Sequence, residues 1–458
     1  MATTNFAATY SSDISNYIQK KVQPLVQRQL VLYQFGQQLT LPKGRGTTYT
    51  ASRYDRTNLP IAPLSEGVPP PGETIPLAQV SAVAQQWGDS ITVTDIADMT
   101  IEHPLFQTAI KLIAMNAEET LERNTANALL AGSQVNYVNS RGSRASLQNG
   151  DVMNSHEVNR MVTALRIIGA PEFMGQTEED AKVVAGKPSM ASKDPRGFQH
   201  YVAVCHHAVA ADLRENSTVT LAWANSDVNK LYNNELGEWG GVRWCASNMV
   251  PYFIGNGQPT TGASAANGSY AAATTGGSLA AGTYYLQITG SLVQNGYETL
   301  IGQVSGAITV GGSGAGSISV TLPTNTAYTY SVYLGTTSSP ANLAACANGP
   351  TVGPLAGQAI QLTAGATVTL TAVGAARTPS AAPAATVTVY PTFIFGRDAY
   401  GQVMLDNMEF FYLNKAEKAD PLNQLRTVGY KVMYGTIILN NNFFGRIESA
   451  SNFGATFS

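Results

Sequence analysis

Charge is scarce in this chain. Asp, Glu, Lys and Arg make up 12% of its 458 residues, about half the usual globular share of about 25%. With 27 basic and 30 acidic side chains, the formal net charge is −3. That balance argues against a basic nucleic-acid reader and against an acidic disordered chain. Cysteine is scarce too. Cys205, Cys245 and Cys346 are odd in number and far apart, which fits neither a disulfide framework nor the paired spacing of a zinc ligand set. A reducing compartment is the expected setting. No run approaches the roughly 20 apolar residues that span a bilayer, and no basic start followed by an apolar stretch marks a secretory signal. GxxxxGK[ST], HExxH and GxSxG are all missing. No residue pattern supports an enzyme, and no cofactor or metal is expected.

What is present is apolar. Hydrophobic residues reach 44%, enough for a sizeable core, and the length fits about three domains or one large domain with an insertion. Low charge with a full core suits a protein that covers much of its surface with partners. The charge is also uneven. From Gly255 to Tyr390 the only charged residues are Glu298 and Arg377. This stretch is rich in Gly, Ala, Ser and Thr, and Gly257–Ser269 and Arg377–Ala385 have linker composition. Between them, Thr283–Thr289, Ala307–Val310, Ser317–Leu322, Tyr328–Leu334 and Ala366–Leu370 alternate polar with apolar or aromatic residues. Short strands at such spacing predict an inserted β-sandwich over 255–390. Its tyrosines, Tyr284, Tyr285, Tyr297, Tyr328, Tyr330 and Tyr333, either stack on sugars or, as is commoner, fill the sandwich core.

The remainder reads as α+β. Ile14, Ile18, Val22 and Leu25 have helical spacing within Ser12–Leu32, with Pro24 as a break; this is an arm that packs on something else. Thr47–Tyr54 is β-rich, Leu59–Pro76 carries six prolines, and Leu77–Ile96 is β-rich again. Together these predict a long two-stranded excursion over 46–96 with a proline-rich tip. Alone such a hairpin is marginal in water, so a neighbouring subunit is expected to cover it. Arg53 and Arg56 on one limb, with Glu66 and Glu73 on the other, are the candidate inter-subunit contacts.

Pro104–Leu130 predicts a long helix, with Pro104 in the first turn, Phe106, Ile110, Ile113, Ala117, Leu121 and Ala128 on one stripe, and Gly132 at the stop. Glu118, Glu119 and Glu122 are read as a charged outer face of that helix rather than an acid/base site. His156–Ile168 predicts a second helix. Tyr201–Cys205 reads as a buried strand running through His206 and His207 into Val209–Leu213. Neighbours on a strand point to opposite faces, so Cys205, His206 and His207 are not expected to share a metal or form a nucleophile. Val242–Ala246 and Thr392–Phe395 read as strands flanking the insert, and Thr427–Glu448 as mostly strand.

Several blocks carry a resemblance when taken in order. TTYTASRYDRTNLPIAPLSEGVPPPGETI, YVAVCHHAVAADLREN, GEWGGVRWCAS, TFIFGRDAYG and DPLNQLRTVGYKVMYGTIILNNNFFGRIESAS span Thr47 to Ser451. They resemble the major capsid protein family of N4-like tailed phages. The departures are Ala208, where proline often follows the histidine, and the insert. Within the insert, AAGTYYLQITGSLVQNGYETL followed by YSVYLGTT resembles phage immunoglobulin-like or fibronectin type III-like modules.

The resemblance implies the tailed-phage capsid fold of Hong Kong or Johnson type. Its expected parts are an N-terminal arm (1–45), an extended loop (46–96), and a core with spine helix, peripheral and axial domains (97–254 and 391–458). An immunoglobulin-like sandwich (255–390) is added. It implies a non-enzymatic coat protein forming pentamers and hexamers of an icosahedral head. Scaffolding, portal and cement proteins are the implied partners. Packaged DNA would line the inner face without sequence-specific binding, and no membrane is involved. The implied location is the virion, with synthesis in the host bacterial cytoplasm. The rival reading is a tail component or cell-surface adhesin that uses the sandwich for glycan attachment.

Overall fold

The structure is a computed structural model. It describes residues 31–54, 74–96, 105–173, 200–216, 219, 235–262, 266–293, 297–312, 314–347, 349, 355–384, 387–413 and 424–453. The Ser12–Leu32 helix expectation and most of the proline-rich stretch lie outside these residues. The chain divides into two compact units: Met1–Ser133 with Gly396–Phe444, and Gln134–Phe395 with Gly445–Ser458.

The first unit is built on a four-stranded sheet in the order Gln37–Thr40, Tyr400–Leu413, Leu425–Ile438, Gln85–Thr94. The first pair is parallel and the others antiparallel. Helix α1, Leu105–Leu130, covers one face. At about 1.5 Å per residue its 26 residues make a rod of about 39 Å. Ile113, Ala114, Ala117 and Leu121 pack on Phe410, Val428, Tyr430, Val432 and Tyr434. Those sheet residues alternate along their strands, as a half-covered sheet requires. Polar contacts tie the same surfaces together: the Thr120 and Tyr430 hydroxyls lie 2.9 Å apart, and Thr125 bonds to Tyr434. Gly132 follows the helix for lack of room, since a Cβ there would meet the Phe444 ring at 2.5 Å.

A two-stranded antiparallel ribbon, Thr48–Tyr54 with Leu77–Val83, belongs to the same unit. Its inner face, including Tyr49, Val80 and Ala82, packs near Leu41, Ala84, Val403 and Ile437. Its outer face alternates out to water along both strands.

The second unit contains helices α2, Ser155–Ile168, and α3, His207–Glu215. Asn154 caps α2 by accepting from the Glu157 N–H at 3.1 Å, and Gly169 closes it at φ +77°. Val158, Met161 and Leu165 are buried as the periodicity predicts, whereas Ile168 is half exposed. The Tyr201–Cys205 strand is buried along its whole length, but it stops there. Residues 207–215 are helix instead of the extended run read from the sequence. The His206 Nδ1 accepts from the Ala208 N–H at 3.2 Å and caps α3, whose alanine-rich start then propagates readily.

One long sheet runs through this unit. Thr388–Phe395 pairs with both Tyr201–Cys205 and Phe253–Asn256. Phe253–Asn256 pairs in parallel with Glu298–Gly302, which pairs with Gly282–Leu292. The charge-poor stretch therefore continues the backbone hydrogen bonding of the strands that flank it. Its core gathers Leu286, Ile288, Tyr330, Val332 and Leu334 against Ile318, Val320, Val368 and Leu370. Among the strands here without a sequence reading are Ser269–Ala273, Glu298–Gly302 and Asn342–Cys346. Two of them are rich in alanine, and strand propensity is weak where packing decides.

Candidate functional site

The Cys–His cluster is chemically inert. Cys205 is fully buried and its thiol is pushed up to about 12 by desolvation; its Sγ sits 3.6 Å from the Cys245 carbonyl oxygen. Burial, and then the neighbouring His207, push His206 down to about 4. Its ring centroid lies 4.9 Å from that of Tyr390 and 5.7 Å from that of Tyr252, tilted against both. The thiol is held protonated, and the imidazole is weakened as a base by burial with its Nδ1 lone pair taken by the Ala208 N–H, so neither group is activated at neutral pH. Among the described residues, no group of three or more His, Cys, Asp or Glu is placed to hold a metal ion.

The α1 carboxylates correct the sequence reading. Glu118 and Glu122 are buried, at 6% and 3% exposure, instead of forming an outer face. Glu122 projects toward the chain at Leu32 and Tyr33. Its Oε1 accepts the Leu32 N–H at 2.9 Å, and its Oε2 accepts the Leu32 and Tyr33 N–H groups at 3.2 and 3.4 Å. Desolvation raises Glu122 to about 7 despite these donors. Desolvation, then Glu122 and Glu119, raise Glu118 to about 8. A tertiary bond spanning 90 residues leaves no local sequence signal, so the i, i+4 carboxylates read as a solvated face.

Of the candidate contact residues, Arg53 lies on the inner face of the ribbon, opposite Ala78. It lines a cavity of about 330 Å³ with Leu39, Tyr49, Val80 and Asn441. Arg56, Glu66 and Glu73 lie outside the described residues, so the proposed pairing is not visible. The exposed apolar residues are the stronger feature of this region. Tyr54 is 73% exposed and Ile75 67%, with Leu77 and Val83 also open. Sequence reasoning singled out charges here because charge is easy to see; apolar residues on a ribbon become conspicuous only once their burial is known. The sheet face away from α1 carries exposed Phe411 and Leu413, with Lys431 5.2 Å over the Phe411 ring and 3.5 Å from Glu409.

In the charge-poor stretch, Tyr284, Tyr297, Tyr330 and Tyr333 are buried and are not available for stacking on a sugar. Tyr285 and Tyr328 are half-buried. The two lone charges meet: Arg377 lies 3.2 Å from Glu298, whose carboxylate also accepts from the Tyr333 and Thr289 hydroxyls. A second ionic group lies deeper in the unit. Arg144 grips Glu448 through two nitrogens at 2.6 and 2.5 Å, and Arg446 reaches it at 3.0 Å. Arg144 also stacks 3.8 Å over Phe253 and donates to the Ala381 carbonyl. No helix among the described residues is long and apolar enough to cross a membrane.

No family model and no curated protein matches the chain. Among solved structures it is similar to the capsid of Ralstonia phage GP4, at 10% identity over 93% of each chain with a TM-score of 0.48. It is similar to the capsid of cyanophage P-SCSP1u at 10% identity over 93% of this chain and 90% of that one, with a TM-score of 0.44. The cyanophage Pam1 capsid asymmetric unit gives 10% identity, 90% and 87% coverage and a TM-score of 0.46.

Proposed function

We propose that this chain is the major capsid protein of a tailed double-stranded DNA bacteriophage, a structural subunit with no turnover that assembles into the pentamers and hexamers of an icosahedral head. The observation that carries the reading is the build of the first unit. A rod-like helix lies on a long-stranded sheet, and a two-stranded ribbon of the same unit exposes Tyr54, Leu77 and Val83. The outer face of this ribbon stays in water in an isolated molecule. It gains cover when a neighbour lies against it. The five ordered sequence blocks support the same reading.

In this reading, 1–45 is the arm, 46–96 the extended loop, and 97–254 with 391–458 the capsid core of spine helix, peripheral and axial domains. Residues 255–390 form an immunoglobulin-like insert displayed on the exterior. Weak contacts repeated over many copies would give a stable shell that still corrects errors during assembly. Scaffolding, portal and cement proteins would be its partners. DNA would be enclosed without base readout, as a net charge of −3 suits. The protein would be made in the host cytoplasm and reside in the virion. Burial of four of the six tyrosines weakens the glycan-binding alternative.

Electron microscopy of the purified full chain, with light-scattering mass, tests this. Closed shells, rings or tubes are expected. A uniform monomer or small trimer, even with a co-expressed scaffolding protein, overturns the proposal. The double variant Tyr54→Ser, Leu77→Ser is expected to stay within about 0.5 kcal/mol of the parent in stability, as exposed sites do, and to lose assembly.

A further inference from the structure

We infer that Asn149 is a self-modification site, where the chain deamidates through attack of the Gly150 nitrogen and leaves aspartate or isoaspartate. Asn149 and Gly150 form the centre of a tight turn, closed by the Asp151 N–H donating to the Gln148 carbonyl at 3.0 Å. Both residues are exposed. Gly150 has φ +104°, and a Cβ built on it would meet nothing within 4 Å. No side chain therefore shields its nitrogen. Among the described residues, neither the Gly150 N–H nor the Asn149 side-chain amide has a hydrogen-bond partner. Glycine turns readily about its backbone dihedrals, so the nitrogen can swing toward Asn149 Cγ while Gln148 and Asp151 stay in place.

The step needs only solvent. The Gly150 nitrogen gives its proton to water and bonds to Asn149 Cγ. The Cγ–Nδ2 bond breaks, and the nitrogen leaves as ammonia with a proton from water. Water then opens the cyclic imide. Addition at Cγ gives aspartate; addition at the main-chain carbonyl gives isoaspartate, whose backbone runs through Cβ and Cγ. Overall, one amide and one water become a carboxylic acid and ammonia, and nothing is oxidised or reduced.

Two other Asn–Gly pairs lie among the described residues, and both are restrained. Asn256 ends a strand with its backbone paired to Gly302, and its carbonyl accepts the Gln303 N–H at 3.2 Å. The Gly257 N–H is donated to Asn256 Oδ1 at 2.9 Å, which holds its proton in place. At Asn267–Gly268 the glycine is buried, and its carbonyl accepts the Thr260 N–H at 3.2 Å. Asn295–Gly296 and Asn348 lie outside the described residues. Modification at Asn149 reaches a buried neighbour. Asp151 is 4% exposed. Its Oδ2 accepts the Gln148 N–H and Arg141 Nε, each at 2.8 Å, and its Oδ1 accepts Asn139 Nδ2 at 2.7 Å. Its carbonyl accepts the Ala450 N–H at 2.9 Å. The extra backbone carbon of isoaspartate falls between Gln148 and Asp151, so it strains this set of bonds.

Peptide mapping by mass spectrometry during prolonged incubation of the full chain in neutral buffer tests this, with fragmentation that distinguishes isoaspartate. The guanidinium-unfolded chain is the reference, since sequence alone sets its rates. In the folded chain Asn149 is expected to convert within about threefold of its unfolded rate, and Asn256 and Asn267 roughly tenfold or more below theirs, because each must first open a local contact. An Asn149 that keeps its amide while the unfolded chain converts, or that is slowed as much as the other two, overturns the proposal. In the converted chain the Ala450 amide is expected to exchange roughly tenfold faster than in fresh protein, the worth of about one hydrogen bond. Asn149→Asp, which adds the charge without lengthening the backbone, is expected to keep it slow. Equal exchange in all three forms overturns the link to Asp151. None of these readouts requires assembly, so they stand apart from the capsid reading.

Discussion

Two buried carboxylates, one in each unit, are stabilised in opposite ways. Glu448 is fully buried and held by two guanidinium groups, with Arg144 bidentate and Arg446 beside it. Glu122 is just as deep but meets backbone amides. A cation partner compensates the charge itself. Amide dipoles compensate it only in part, so burial prevails at Glu122 and its proton affinity rises. The contrast separates a structural rivet from a group whose charge state follows the solution, although both look like lone glutamates in sequence.

Breaking the rivet is expected to have the larger effect. Glu448→Gln leaves Arg144 and Arg446 buried together and is expected to cost about 3–5 kcal/mol in chemical denaturation at pH 7. A loss below about 1 kcal/mol would mean that solvent reaches the pair in solution. Glu122→Gln sharpens the comparison, because its cost should change with pH. The folded pKa of Glu122 is raised, so its stabilising contribution is complete below about 4.5 and drains away as pH climbs through about 7. At about 1.4 kcal/mol per pK unit, the parent loses up to about 3 kcal/mol over that window. The variant does not, so its deficit at pH 5.5 should shrink or reverse by pH 8.5. A constant deficit in parallel melts would show that desolvation is not the cause. The smallest effect is expected at Arg377→Met. That guanidinium is 42% exposed, and such pairs contribute about 1 kcal/mol or less. A larger loss would show that the one ion pair of a charge-poor stretch matters more than its exposure implies.

Legibility followed the range of the interactions. Helix α2 was readable because its apolar periodicity is a local signal. The long helix was readable for the same reason, yet the role of its carboxylates was not, since their partners lie 90 residues away. The strand that ends at Cys205 was legible as far as its apolar run. The turn into α3 depends on a histidine acting as a cap, which composition does not announce. The charge-poor stretch stood out by what it lacks, and its tyrosines went to the core, the commoner fate. Its attachment to the neighbouring strands was hidden, because strand order is a long-range property.

That attachment has a consequence for exchange of genetic material. Ile254 and Thr388 are paired across neighbouring strands, as are Phe253 and Val389, so the chain leaves and returns through a gap of about 5 Å. A gap that narrow accepts any module whose own ends lie side by side, or a tight turn in its place. Such a replacement would also expose the edge of Phe253–Asn256 that Glu298–Gly302 now occupies. A successor would therefore need a strand of its own, or a charged edge, to keep copies from zipping together. The position works as a docking port with one condition attached: whatever fills it must finish the sheet.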